Sequence, residues 1–335
     1  MTRRRLDIPF GISGAACHLP AARASAESLW QADSERIERL RSEVRLSPKL
    51  KQMTDFGIRE VPDAQGQAPW ELALSAAHAA LDEAGTEPAG VDLIVDFSTT
   101  DPGGNGVQVG NRVQAELGAA EARVLALGSG ACASLHGALL AAVALMRNDQ
   151  RLATALLVGG DCVHPDARVL FPLTVLGDGG SALVLRAGHD RNVLLGTELK
   201  SAGLLHGAVG LPPPSAPTAV NIAEFERRLL AAHLKAVHDV VHTLLERCGL
   251  DVSDVDLLVP PNMSETDQDG YVKVLGIPRE RTARFALPDT GHLFGSDGVN
   301  NWCRAREQGR LASGALVLLV AAGAGFGWGA SLFRI

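Results

Sequence analysis

One stretch of this chain occurs twice. His78-Ala-Ala-Leu81-Asp-Glu-Ala-Gly85 leads into Val91-Asp92-Leu93-Ile94-Val95, and His242-Thr-Leu-Leu245-Glu-Arg-Cys-Gly249 leads into Val255-Asp256-Leu257-Leu258-Val259, without a gap between the copies. Each copy reads as a helix, a glycine stop, a short acidic loop and a buried strand. A second echo follows in the same order: Arg151-Leu152 precedes the apolar run Ala153–Val158, and Arg310-Leu311 precedes Ala315–Val320. The pattern predicts a duplicated α/β unit, with halves at 1–190 and 191–335. Ordinary recurrence of α/β elements is the competing explanation.

The coarse order of elements supports layered α/β architecture. After early strands and a helical region to about Gly57, we expect a helix over Trp70–Ala84, strand Val91–Phe97 and helix Asn105–Leu117. Strand Val124–Leu127, helix Ala133–Met146 and strands Ala153–Val158 and Ser181–Leu185 follow, with a long helix near Ile222–Cys248 in the second half. Pro212-Pro213-Pro214 reads as a surface loop. The apolar stretch Gly314–Leu332 is long enough for a membrane span. Its glycines (Gly323, Gly325, Gly327, Gly329) instead predict two short strands, Ala315–Ala321 and Trp328–Phe333, joined by a tight turn.

Composition narrows the function classes. With 335 residues, 46% of them hydrophobic and 21% charged, the chain can bury a large core. A net charge of −7 without a basic domain excludes a nucleic-acid footprint. The basic start, Met1 to Arg5, runs into Asp7, Pro9 and Gly11, which interrupt any signal peptide. The five cysteines (Cys17, Cys132, Cys162, Cys248, Cys303) are scattered without CxxC spacing, which points to a reducing cytosol rather than a disulfide framework.

Gly128-Ser129-Gly130-Ala131-Cys132-Ala133-Ser134 lies between a predicted strand and a predicted helix. Small residues on both sides let a sharp turn expose one side chain at a helix N-terminus, where partial positive charge favours a thiolate. A thiolate there can accept an acyl group from a thioester, since one thioester replaces another. A buried cysteine in a glycine-rich turn is the alternative.

Several motifs, in combination and in order, give the chain a family resemblance. They are Phe56-Gly57-Ile58-Arg59-Glu60, Ala131-Cys132-Ala133, Leu176-Gly177-Asp178-Gly179-Gly180-Ser181-Ala182, Asp254-Val255-Asp256-Leu257-Leu258-Val259-Pro260 and Gly323-Ala324-Gly325-Phe326-Gly327-Trp328-Gly329-Ala330. Together they resemble the β-ketoacyl-acyl-carrier-protein synthase III branch of the thiolase superfamily over nearly the whole chain. The resemblance implies a duplicated, five-layered α/β/α/β/α thiolase fold, a homodimer and acyl loading on Cys132.

Two departures change the implied chemistry. Condensing members carry a histidine after the proline of the Val-Pro motif, where this chain has Pro261 in Val259-Pro260-Pro261-Asn262. Their second donor is an asparagine, where Thr290-Gly291-His292-Leu293-Phe294-Gly295-Ser296-Asp297 places His292. Decarboxylative condensation needs two fixed donors at the thioester oxygen, and loss of one costs on the order of 100- to 1000-fold. Cys132, His292 and Asp297 remain, as in ester- and amide-forming relatives. This implies an acyltransferase of specialised metabolism. Cys132 takes the acyl group from an acyl carrier protein or CoA thioester. His292 deprotonates a small-molecule hydroxyl or amine, and Asp297 orients the imidazole. Backbone N–H groups of Cys132 and Ala324 form the oxyanion hole. Asp297 also fits a helix N-cap ahead of Gly298–Arg306, and His292 a structural loop histidine.

Other signals reduce to plainer readings. His206 reads as a loop histidine, with a pocket-lining role as the alternative. His238 and His242 lie on one helix face, but Asp239 stands where a zinc protease needs Glu and no third ligand follows, so no metal is expected. No glycine loop has the context of a nucleotide site, so no cofactor is expected either. The tryptophan associated with direct CoA use is absent ahead of Gly57-Ile58-Arg59, and Trp30 stands far upstream. Glu265, Thr266 and Asp267 replace the basic carrier-docking residues, leaving Arg45, Lys49 and Lys51 as an alternative patch. Carbon–carbon condensation, thioester hydrolysis and a non-catalytic partner subunit are the competing functions. On the leading reading, His292→Ala abolishes transfer and leaves Cys132 loading largely intact, which acyl-adduct mass and product formation measure separately.

Overall fold

The computed structural model describes residues 8–43, 56–100, 108–206 and 230–335. In the first half these are β1 (Phe10–His18), β2 (Arg23–Ser25), α1 (Ala26–Ala32), α2 (Ser34–Glu43), β3 (Glu60–Pro62), α3 (Pro69–Ala84) and β4 (Leu93–Asp96). They continue as α4 (Val109–Leu117), β5 (Arg123–Ala126), α5 (Ser134–Asn148), β6 (Thr154–Asp161), β7 (Val169–Leu170), β8 (Thr174–Val175) and β9 (Gly179–Ala187). The second half contains β10 (Val193–Ser201), α6 (Leu230–Arg247), β11 (Leu257–Val259), α7 (Glu265–Leu275), α8 (Asp297–Glu307), β12 (Leu316–Gly323) and β13 (Gly327–Arg334).

The repeat seen in the sequence is a repeat of topology. One sheet of nine strands runs β11-β12-β13-β10-β1-β9-β6-β4-β5. Its two arms meet between β1 and β10 at the single pair Gly11↔Val193. Outward from that seam, β1-β9-β6-β4 and β10-β13-β12-β11 have the same order and the same strand directions. Where the first arm adds β5, the second keeps a single parallel bridge, Leu258↔Thr282. The glycine stops behave alike, with Gly85 at φ 57° and Gly249 at φ 68° ending α3 and α6. The acidic loops are equivalent too. Asp92 accepts the N–H groups of Ala153 and Thr154 at 2.8 and 2.9 Å, and Asp256 accepts the N–H of Leu316 at 2.8 Å.

Side-chain alternation along the strands builds the layers. Leu93 and Val95 of β4, with Val317 and Leu319 of β12, point inward onto α5 and α8, meeting Leu135, Leu139, Val299 and Trp302. Ile94 points outward to α3 and α4, against Ala77 and Val113. Leu318 and Leu332 point outward to α6 and α7, against Val241 and Tyr271. Helix, sheet, helix, sheet and helix therefore follow one another. Both faces of each arm are covered, which is why the strands read as continuous apolar runs.

The apolar stretch near the C-terminus is the antiparallel hairpin of β12 and β13. Residues Gly130–Asn148 are long and apolar enough to cross a membrane, but they include α5, the central-layer helix. Expected helix ends at Asn105 and Ile222, the basic patch Arg45, Lys49 and Lys51, and Pro212–Pro214 lie outside the described residues. Asp92→Ala should lower the unfolding free energy by about 1–3 kcal/mol. Asp256→Ala, with one N–H bond and more solvent, should cost less; urea denaturation of both variants measures the difference.

Candidate active site

Cys132 is presented by a 3₁₀ turn, Gly128–Ala133, that runs from β5 into α5. The residue before it, Ala131, takes φ 45° and ψ −126°. That positive φ is strained for any side chain, and alanine carries the smallest that is chiral. The turn is pinned from two sides. Ser134 Oγ donates to the Phe97 carbonyl at 2.5 Å. Gly323 at the end of β12 lies so close that a Cβ there would sit 1.9 Å from the Gly130 carbonyl and 2.9 Å from the Cys132 nitrogen. Only glycine fits this contact, which brings the start of the β12–β13 turn against the Cys132 turn.

His292 follows Gly291, at φ 55°, whose missing Cβ would lie 2.5 Å from the Val175 carbonyl. That approach lets His292 form a parallel bridge with Leu176. Its N–H donates to Val175 O at 3.0 Å, and its carbonyl accepts from Gly177 N–H at 3.0 Å. The Leu176–Asp178 segment is itself anchored by buried Arg168, which donates to the Asp178 carboxylate at 2.6 Å and to the Leu176 carbonyl at 3.3 Å. The backbone of His292 is thus fixed by pairing, and the ring is oriented by its own contacts.

The three expected side chains meet, although Cys132 and His292 are 160 positions apart. His292 Nε2 lies 3.0 Å from Cys132 Sγ, and Nδ1 lies 2.5 Å from Asp297 Oδ2. Asp297 also accepts the Leu293 N–H on Oδ1 and the Asn262 N–H on Oδ2, each at 2.7 Å. His292 and Asp297 are 1% and 2% exposed, so these bonds carry nearly all the compensation for a buried charge. Burial opposes the charged form of His292, yet the neighbouring Asp297 carboxylate and Cys132 sulfur prevail and hold its pKa well above the ordinary value.

Asp297 is the first residue of α8, and the capping position belongs to Ser296. Its carboxylate turns away from its own helix to Leu293 and Asn262, so it is not the N-cap that its place in the sequence permits. The same imidazole is in direct contact with the sulfur that is expected to carry the acyl group. His206 is exposed at the end of a 3₁₀ turn. The rings of His238 and His242 stack at 3.9 Å on the exposed face of α6, with Asp239 taken by Lys200 and Lys235.

Sequence reasoning missed three features. The Asn262 and Leu293 donors are backbone groups with no residue signature. His136, one helical turn beyond Cys132, is buried beside it, with Nδ1 2.8 Å from Ser331 Oγ. Its neighbours Leu135, Pro261, Phe294 and Leu319 line a cavity of about 10 Å³ next to Cys132. Trp30, set aside as too far upstream, lies with Phe56, Ile58 and Arg59 in a groove of about 580 Å³ that reaches Val175.

Burial pushes His136 down to about 3. Between pH 6.5 and that value the unfolded chain binds a proton that native His136 refuses, so stability falls with acidification by about 1.4 kcal/mol per pH unit. Chemical denaturation should show this slope, and His136→Gln should flatten it. Gly323→Ala should displace the Cys132 turn, seen as reduced alkylation of Cys132 in protein with unchanged circular dichroism.

Comparison with known proteins places this geometry. A family model described as 3-oxoacyl-[acyl-carrier-protein] synthase III C terminal matches residues 245–335. The β-ketoacyl-[acyl-carrier-protein] synthase III of Rhodospirillum rubrum is 30% identical, over 97% of this chain and 98% of its own. The crystal structure of the 3-oxoacyl-(acyl carrier protein) synthase III of Pseudomonas aeruginosa superposes with a TM-score of 0.81, at 26% identity, over 97% of this chain and 98% of that one. The acyltransferase ChlB3 superposes at 0.82 and 20% identity, over 98% of both chains, which shows a shared fold. With its duplicated thiolase fold and a relative of this identity along its whole length, the chain belongs to the β-ketoacyl-acyl-carrier-protein synthase III family.

Proposed function

We propose that this protein is an acyltransferase that moves an acyl group from a carrier-protein or CoA thioester, through acyl-Cys132, to a hydroxyl or amine of a small molecule. The observation that carries the reading is the chain of contacts from Cys132 Sγ to His292 Nε2 and from His292 Nδ1 to Asp297, with Pro261, which has no donor, lining the same space. A cysteine, an imidazole and an orienting carboxylate form a nucleophile and a base. They do not form the pair of donors that an enolate needs.

Proton exchange between Cys132 and His292, in contact at 3.0 Å, makes both half-reactions balance. Cys132 thiolate attacks the donor carbonyl, and the oxyanion is received by the N–H groups of Cys132 and Ala324. Collapse expels the donor thiolate, which takes the proton held on His292. Acylation removes the sulfur's negative charge, one of the influences that raise the imidazole pKa. His292 is then neutral and accepts the acceptor's proton as its oxygen or nitrogen attacks the thioester. The second collapse releases ester or amide and restores thiolate and imidazolium together. Asp297 keeps Nδ1 protonated and Nε2 aimed at the sulfur throughout.

The Trp30 groove offers the donor a handle, since it reaches Val175, whose carbonyl anchors His292. Strand β5 stands at one edge of the sheet with no further strand beyond it among the described residues, which supports pairing with a second copy in a homodimer. A role in specialised metabolism and a cytoplasmic location belong to the same proposal.

Intact-protein mass after incubation with a panel of acyl-pantetheine thioesters, beside Cys132→Ala, tests the first half. An adduct on the wild type alone is expected. Adding alcohols and amines should then discharge it as ester or amide. A β-ketoacyl product with a malonyl thioester would replace this reading by condensation, release of free acid alone by hydrolysis, and absence of any adduct by a non-catalytic role. Because His292 touches the sulfur, His292→Ala should slow loading as well as transfer, with transfer losing about 10²–10⁴-fold.

A further inference from the structure

Behind Asp297 lies a buried set of amide side chains that the chemistry above does not use. Asn262, Gln268 and Asn301 have no exposed surface, and Thr290 and Asn300 almost none. Asn301 Nδ2 donates at 3.0 Å to Asn262 Oδ1 and at 3.0 Å to the Pro260 carbonyl. Asn262 Nδ2 returns a longer contact to Asn301 Oδ1 at 3.4 Å and another to Thr290 Oγ1 at 3.4 Å. Gln268 Nε2 reaches the Pro261 carbonyl at 3.2 Å and Asn262 Oδ1 at 3.4 Å. Consecutive prolines have no N–H, so their carbonyls are the only backbone groups by which Pro260 and Pro261 can be held. Both are held.

This network ends on the base. The clamped segment directs the Asn262 N–H at Asp297 Oδ2, the same oxygen that receives His292 Nδ1. Asn301 and Asp297 lie four residues apart on α8 and therefore share a face. Burying carboxamides is costly unless they are paired, as Asn262 and Asn301 are by each other while Gln268 Oε1 has no partner among the described residues, and apolar side chains would fill the volume without that cost. We infer that the Asn262–Asn301 amide pair is a positioning device for His292, acting through Asp297 by holding the Asn262 N–H against the carboxylate. Without it, the Pro260–Asn262 segment shifts, the carboxylate turns, and the imidazole loses its aim at Cys132.

The inference rests on the Cys132–His292–Asp297 acyl-transfer reading, and one of its tests needs no acceptor. Asn301→Ala, in otherwise native protein and combined with Asp297→Asn, is assayed for the pH profile of Cys132 alkylation by iodoacetamide and for kcat and KM of transfer. Alone it should lower kcat by about 10- to 100-fold while the acceptor KM stays within about twofold. It should move the alkylation profile toward that of Asp297→Asn, and it should add nothing in the Asp297→Asn background. An equal loss in both backgrounds, or an unmoved profile in folded protein, overturns the inference. Asn262→Ala, which keeps the N–H but loses the clamp, should behave alike and serves if Asn301→Ala does not fold. Wild type that transfers to no hydroxyl or amine defeats the proposed function, while the alkylation profiles still decide the role of the amide pair.

Discussion

A carboxylate buried to 2% exposure must be answered by donors, and much of this site is the answer given to Asp297. Two backbone N–H groups and one imidazole converge on it from two separate segments, the loop after β11 and the His292–Leu293 turn. The Asn262 donor ties it to the loop after β11. The Leu293 donor ties it to the turn that follows His292. Through the imidazole it is linked to the sulfur at the start of α5. Moving any one of these segments would strand the charge, so the burial that makes the group costly also fixes the geometry. The positive end of α8 lies at the same point and favours the negative charge.

The duplication explains why the parts can meet. Helices α5 and α8 hold equivalent places in the two halves, side by side in the central layer. Cys132 sits at the entrance to one and Asp297 at the entrance to the other. Glycines bring the backbones close enough for this arrangement. Gly323 lies against the Cys132 turn and Gly291 against Val175, and in both places a methyl group would occupy the space of a carbonyl oxygen. The apolar pattern of the strands builds the layers, while these glycine contacts set the distances inside the site.

The departures from the family's pattern are coupled. A histidine at position 292 in place of an asparagine brings a group that changes its charge, and such a group needs a partner for its second nitrogen. Asp297 supplies it. Pro261 then removes a side-chain donor that would compete for the same space, and its neighbour Asn262 turns a backbone N–H to the carboxylate. The Pro260–Asn262 segment faces the partner of His292 through that N–H.

The repeated helix, glycine, acidic loop and strand were legible in the sequence because period, glycine stops and apolar runs are local properties. Cys132 was legible because a sharp turn needs small residues around the group it presents. His292 and Asp297 could be named from motif position, but not their mutual distances, nor whether Asp297 capped its helix or faced the histidine. That choice depended on whether the nearest unsatisfied N–H groups belonged to α8 or to Leu293 and Asn262, and only the packed structure places them. Trp30 shows the same limit: far from Arg59 along the chain, it lines the same groove. Local pattern determined the elements, their order and the turn that presents Cys132. Tertiary packing decided which buried charge met which donor, because a backbone N–H looks the same in every residue but proline.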